Sequence, residues 1–257
     1  MITSTQHNTV KKLPADHRPP ETGKWPSRGQ NGIIRSFVAS RKKYLFFKRM
    51  FDLLFSSLII LLVMSWLVPL VALITRLDSP GPVFFRQKRI GKNGKPFYCI
   101  KFRTMLQNQE ADERPAEEHD PRITKVGKIL RRTNLDELPQ FFNVFAGQMS
   151  VVGPRPHMLA DCIRFSFVIP SYPFRSLIRP GITGLAQING YHGPTADYES
   201  IIVRYYWDAQ YVRKANVWLD LKIIGATIIH SFRNIKDASL ILFGRNKEKN
   251  AGQPEIN

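Results

Sequence analysis

The longest apolar run in the chain extends from Leu53 to Thr75, 23 residues without a charge and mostly Leu, Ile and Val. That length can cross a bilayer. It is not a signal peptide, because it begins only after about fifty polar residues and no small-residue cleavage site follows it. Ahead of it, Met1 to about Ser40 shows no apolar period, is rich in Pro, Gly, Lys and Arg, and reads as a disordered tail. Behind it, Asp78-Ser79-Pro80-Gly81-Pro82 is a turn-rich exit. Val83 to Ile90 and Pro96 to Phe102 are β-prone runs, and Asn93-Gly94 between them predicts a hairpin.

Beyond the hairpin the pattern turns helical. Residues 106–120 are acidic and polar and read as a surface loop. A short helix is predicted over Lys128 to Arg132 and a second from Leu135 to Phe145. In the second, Leu138, Phe141, Phe142 and Phe145 recur at helical spacing, and Gly147 stops it. The glycine-punctuated stretch from Ile178 to Gly190 lacks the spacing of a P-loop or a dinucleotide fingerprint. Tyr198 to Val212 and Val217 to Phe232 are further helices, and Asp220 and Lys222 make the latter interfacial rather than spanning. Asn246 to Asn257 is a polar end, and no internal repeat is present.

Charge sharpens the membrane reading. The chain of 257 residues has 38 Lys and Arg against 20 acids, a formal charge of +18, which points to a polyanionic partner. Residues 1–50 hold 11 basic residues and two acids. Arg41, Lys42, Lys43, Lys48 and Arg49, interleaved with Phe46, Phe47 and Phe51, suit an anionic lipid surface better than nucleic acid. Arg76, Arg86, Lys88 and Arg89 make the other flank basic too. Positive charge prefers the cytoplasmic side. Both flanks satisfy it if the segment enters, turns near Pro69 and returns, so a re-entrant hairpin is expected; a kinked single-pass anchor is the alternative. Cys99 and Cys162 have no ligand-like spacing, which argues against a disulfide framework and a cysteine zinc site.

The candidate chemistry lies between Arg131 and Pro156. Asp136 and Glu137 are adjacent carboxylates, with Arg131 and Arg132 before them and Gly153-Pro154-Arg155-Pro156 after them. One reading is a nucleophile or metal ligand held among phosphate-binding cations. The other is a helix N-terminus, with Asn134 as cap and the acids favoured by the dipole. The two prolines stiffen the backbone around Arg155, as a pre-placed anion ligand needs.

Several stretches together resemble the bacterial sugar transferases, monotopic polyprenyl-phosphate glycosyl-1-phosphate transferases. They are Lys48-Arg49-Met50-Phe51-Asp52, Ser79-Pro80-Gly81-Pro82-Val83-Phe84-Phe85-Arg86-Gln87, Lys101-Phe102-Arg103-Thr104-Met105, Leu135-Asp136-Glu137-Leu138-Pro139-Gln140 and Val152-Gly153-Pro154-Arg155-Pro156. The resemblance covers residues 46–232. It implies transfer of a sugar-1-phosphate from a UDP-sugar to undecaprenyl phosphate with release of UMP, at the start of exopolysaccharide, capsule or O-antigen assembly. It implies Asp136 as covalent nucleophile and Glu137 as ligand of Mg²⁺. Arg103, Arg131, Arg155, Lys101 and Gln140 are the expected phosphate or substrate contacts. The expected place is the cytoplasmic face of the bacterial inner membrane.

The expected fold is therefore α+β and mostly helical. A membrane-embedded re-entrant helix hairpin and interfacial amphipathic helices accompany a small β-hairpin in a cytosolic catalytic domain. The boundaries are a basic tail over 1–45, the membrane helix over 46–78, the catalytic domain over 79–235 and a polar tail over 236–257. Val68-Pro69 stands where the family often has Ser-Pro, and Gly193-Pro194-Thr195 where a Gly-Glu-Thr-like stretch is expected. Which sugar, which polysaccharide and whether the chain forms a homodimer stay open. A membrane-anchored polyanion binder without chemistry is the competing function, and the Asp136-Glu137 pair separates the two, since a pure binder gains nothing from it.

Overall fold

The computed structural model describes residues 41–106, 120–191 and 197–250, with side chains described up to residue 236. The N-terminal tail up to residue 40, the acidic loop apart from its two ends, and Gly193-Pro194-Thr195 lie outside those residues, while residues 42–45, expected in the tail, are already helical.

The apolar run belongs to one helical segment, Lys42–Asp78. It comprises α1 (Lys42–Ile59), a π-helical turn (Ile60–Met64) and α2 (Ser65–Asp78). Pro69 has no N–H to offer the Ser65 carbonyl four residues back. Even so, the chain stays helical on both sides of it, and the irregularity is the π turn directly upstream rather than a loop. One face of the segment packs on the rest of the protein along its length. Met64 joins the main core with Val144, Met149, Val152 and Tyr211. Leu67 and Val71 pack with Phe102 and Leu130. The other face leaves Leu54, Leu58, Leu61, Leu62, Trp66 and Leu73 exposed.

The predicted hairpin is present. Strands β1 (Phe84–Ile90) and β2 (Pro96–Phe102) pair antiparallel from Phe84 opposite Phe102 to Ile90 opposite Pro96. Asn93 and Gly94 take φ of 56° and 75°, the left-handed backbone that an Asn-Gly turn supplies cheaply.

The helices around the acidic pair differ from expectation. Helix α3 spans Lys125–Arg132 and starts earlier than predicted, because the Thr124 hydroxyl caps it by accepting from Gly127 N at 3.0 Å. The stretch expected as one helix from Leu135 is instead a 3₁₀ turn, Leu135–Glu137, followed by α4 (Gln140–Phe145). Pro139 has no N–H to give Leu135, so the turn closes three residues back, with Leu138 N on Leu135 O at 3.2 Å. Phe141 is buried, while Phe142 and Phe145 reach the surface, and Gly147 ends the element at φ 78°.

A second, parallel strand pair was not legible. Strands β3 (Ser150–Val152) and β4 (Gly181–Thr183) align Ser150 with Gly181 and Val152 with Thr183. A Cβ at Gly181 would lie 2.0 Å from Gly153 N, so this approach needs glycine. Between them run α5 (Leu159–Val168) and a 3₁₀ turn over Tyr172–Leu177. After them come α6 (Leu185–Ile188), α7 (Tyr198–Lys214) and α8 (Val217–Asn250). The Asp220 carboxylate, expected at a lipid interface, is buried. It accepts from Tyr44 Oη at 2.9 Å, Lys48 Nζ at 2.8 Å and Tyr211 Oη at 2.6 Å, fastening α1 to α7 and α8. The outer face of α8 still exposes Trp218, Leu221, Ile229 and Phe232.

Candidate active site

The acidic pair sits on the 3₁₀ turn because both flanks are tied down. Asn134, just before it, is left-handed at φ 57° and ψ 15° and makes no side-chain cap. The predicted Asn134 cap therefore does not form, since a cap residue needs an extended backbone. On the far side, Asn143 of α4 accepts from Ile100 N at 3.0 Å and donates to Tyr98 O at 2.8 Å. That bond pair locks α4 to β2 and brings Lys101 of β2 against the turn.

Glu137 is held by cations on both oxygens. Lys101 Nζ donates to Oε1 at 2.7 Å and Arg155 Nη1 to Oε2 at 2.9 Å, while Arg155 Nη2 also grips Oε1. Burial alone would raise the Glu137 pKa, but Arg155 and Lys101 outweigh it and hold the group well below the usual carboxylate range. Asp136 differs. It is 8 % exposed and accepts no side-chain hydrogen bond from the described residues. Burial pushes its pKa up to about 6; Lys101, Arg131 and Arg155 oppose the shift and ionised Glu137 adds to it. Two consecutive carboxylates thus carry different duties: one is neutralised by partners, the other is left with open lone pairs.

Both face a cleft of about 1090 Å³. Lys101, Arg131, Arg155 and Arg103 line it with them, as do Phe55 and Ile59 from α1. The structure brings Lys101 and Arg155 onto Glu137. Arg131 stands near Asp136, its Nε donating to Thr104 Oγ1 at 2.9 Å. Arg103 lines the cleft, yet its guanidinium is spent on the helix exit, donating to Pro82 O at 2.6 Å and to Ser79 Oγ and O, each at 2.8 Å. Gln140 is 2 % exposed and is not among the lining residues.

Supporting residues escaped the sequence reading. Arg175 donates to the Arg155 carbonyl at 2.5 Å and, through Nε and Nη2, to Asp208 Oδ2 at 2.9 and 2.7 Å. Arg89 Nη1 donates to Pro156 O at 2.9 Å. Asp52 of α1 accepts from Ser150 Oγ at 3.0 Å and Val151 N at 2.9 Å, so α1 holds the strand that leads into Arg155. Asp52, in a recognised stretch, and Arg89, in the basic flank, had a signal; nothing around Arg175 or Asp208 marks them locally.

Such a site can neutralise a phosphate-bearing ligand and present one unhindered carboxylate to it. Among the described residues no group of three or more His, Cys, Asp or Glu could cage a metal.

Comparison with known proteins agrees with this chemistry. The family model described as Bacterial sugar transferase matches residues 43–234. The UDP-glucose:undecaprenyl-phosphate glucose-1-phosphate transferase of Klebsiella pneumoniae is 48% identical over 189 residues, 73% of this chain and 40% of that protein. Its namesake in Escherichia coli (strain K12) is 47% identical over 189 residues, with the same 73% and 40% coverage. Exopolysaccharide production protein PSS of Rhizobium leguminosarum bv. phaseoli is 46% identical over 187 residues, 71% of this chain and 93% of that protein. The aligned part of the chain thus spans 40% of the length of the first two relatives.

Proposed function

The chain belongs to the bacterial sugar transferase family, and from that premise we propose that it transfers a sugar-1-phosphate from a UDP-sugar to undecaprenyl phosphate. The observation that carries this reading is the asymmetry of the pair: Asp136, buried and accepting no side-chain hydrogen bond from the described residues, beside a Glu137 held by Lys101 and Arg155. UDP-glucose is the proposed donor, because the Klebsiella pneumoniae and Escherichia coli relatives are named for it.

The proposed reaction has two displacements. The Asp136 carboxylate attacks the sugar-bearing phosphorus. A new O–P bond forms as the bond from that phosphorus to the bridging diphosphate oxygen breaks, and UMP leaves with the electron pair. An oxygen of the polyprenyl phosphate then attacks the same phosphorus and returns the Asp136 carboxylate. An anionic nucleophile reaches an anionic phosphorus only where charge is neutralised, which is the work of Lys101, Arg131 and Arg155.

The donor set fits Mg²⁺ as partner. A carboxylate has about four lone-pair sites; three are taken on Glu137, two on Oε1 and one on Oε2, so Oε2 retains one. Mg²⁺ is commonly held by one or two carboxylates with substrate phosphates completing its shell. Bound by Glu137 and the diphosphate, it would neutralise the leaving UMP.

The membrane seat we propose is one-sided. Arg49 near the start of the helix donates to Val144 O at 2.7 Å, and Asp78 at its end accepts from Val126 N at 3.0 Å, so both ends dock on one body. The exposed apolar face would lie in the cytoplasmic leaflet of the inner membrane, with the basic flanks on anionic headgroups. Tags at the N-terminus and after residue 240 should both be reachable only from the cytoplasm; an N-terminal tag reachable only from outside contradicts this.

The activity test is direct. Purified chain with UDP-glucose, undecaprenyl phosphate and Mg²⁺ should release UMP and form glucose-bearing lipid. No turnover with any of a panel of UDP-sugars would refute the transferase reading.

A further inference from the structure

The cleft has walls of different chemistry. Lys101, Arg131 and Arg155 make one of them cationic. To the same cleft α8 contributes Thr227, His230, Ser231 and Asn234, positions that recur at i, i+3, i+4 and i+7 and so form a single stripe. The other positions there are Ile228, Ile229, Phe232, Arg233 and Ile235. The stripe carries hydroxyls and an amide, groups that both donate and accept. Helix α6, packed against α8, adds Gln187 to the same cleft. Its Nε2 donates to Ile182 O at 3.2 Å, while its Oε1 is buried with no hydrogen-bond partner. A buried amide oxygen without a partner costs stability unless a ligand supplies the donor.

Resting on the transferase reading above, we propose that Ser231 and Asn234 of α8, with Gln187 of α6, read the hydroxyls of the donor sugar and so set which hexose-1-phosphate is transferred. The diphosphate takes the cationic wall. The neutral wall must meet a part of the donor without charge, either sugar or uridine. A base is characteristically held by stacking on an aromatic ring; Ser231, Asn234 and Gln187 offer none, whereas the cleft carries the rings of Phe84, Phe102, Phe165 and His230. A ring of hydroxyls needs what they do offer, donor and acceptor pairs in fixed positions. Gln187 is suited to discrimination, because a mismatched hydroxyl leaves its buried Oε1 unpaired.

The test uses the full chain and the variants Gln187→Ala, Ser231→Ala and Asn234→Ala. UDP-glucose and UDP-galactose, which differ only at the C4 hydroxyl, compete as donors, and UMP is measured as a product inhibitor. We expect at least one variant to change the ratio of kcat/KM for the two donors by roughly threefold to tenfold, the effect of one neutral hydrogen bond, with UMP inhibition unchanged. Asn234 is exposed, so its variant carries the test even if Gln187→Ala loosens packing. Equal losses for both donors, no change in any variant, or weakened UMP inhibition would each overturn the proposal. Wild-type chain that turns over neither donor, nor any other UDP-sugar, would sink the transferase reading itself, and the sugar wall with it.

Discussion

Arg155 meets Glu137 as a fork on a carboxylate, Nη1 on Oε2 at 2.9 Å and Nη2 on Oε1. The pair is what keeps two neighbouring carboxylates in different states. It also joins the acidic pair to the Gly153-Pro154-Arg155-Pro156 turn, across 18 residues of the chain.

Arg155→Lys removes the fork and keeps the charge. Hydrogen bonds to charged groups are worth about 1.5–3 kcal/mol, so turnover should fall by about ten- to a hundredfold. The check is UMP release by the variant, with its thermal midpoint measured alongside. Wild-type rates in Arg155→Lys would remove the fork from the mechanism.

The pH dependence follows from Asp136. Its pKa is pushed up to about 6, chiefly by burial, and in the proposed displacement only the ionised form can attack. The kcat/KM profile should therefore rise through an acid limb near pH 6. Ionised Glu137 contributes to the upward shift while Lys101 and Arg155 oppose it. Glu137→Gln removes the first and frees the other two, so the surviving activity should show its limb at lower pH. Stability has the opposite sense. A carboxyl whose folded pKa lies above its ordinary 3.8 favours the fold below that value and loses the benefit as pH rises through about 6. Asp136→Asn should then raise the thermal midpoint at pH 7, with a gain that shrinks as pH falls toward 4. A midpoint difference independent of pH would refute the burial argument.

Asp208→Ala should be damaging well away from the carboxylates. The Arg175–Asp208 pair is buried, with side chains 6% and 3% exposed. Leaving one buried partner uncompensated costs roughly 3–5 kcal/mol, measurable by denaturant unfolding. Because Arg175 also donates to the Arg155 carbonyl at 2.5 Å, the folded fraction should transfer more slowly than wild type. Unchanged stability in Asp208→Ala would show that the pair contributes nothing net.

What was legible in the sequence was local. Asn93-Gly94 dictates its own turn, and the alternating strands on either side pair in the register it imposes. Tyr198–Lys214 is periodic enough to be seen as a helix from its own residues. The acidic pair was found because two carboxylates in so basic a chain stand out. What escaped was non-local. Strands of three residues, Ser150–Val152 and Gly181–Thr183, carry too little pattern to announce a partner thirty positions away. Pro139 broke the expected helix at a point where the apolar spacing runs straight on, and Asn134 went left-handed instead of capping. Arg103 sits in a recognised stretch, yet its fork closes on Ser79 and Pro82, a destination only the fold reveals.

The account stands most directly on a covalent Asp136 phosphosugar. The chain should be incubated with Mg²⁺ and a UDP-sugar labelled in the sugar, with no lipid acceptor, then digested and the label mapped. The account predicts that UMP is released without acceptor and that the label lies on the peptide containing Asp136. It should be absent in Asp136→Asn and reduced in Glu137→Gln. Label that survives in Asp136→Asn or maps to another residue, or UMP released only once undecaprenyl phosphate is added, would contradict it.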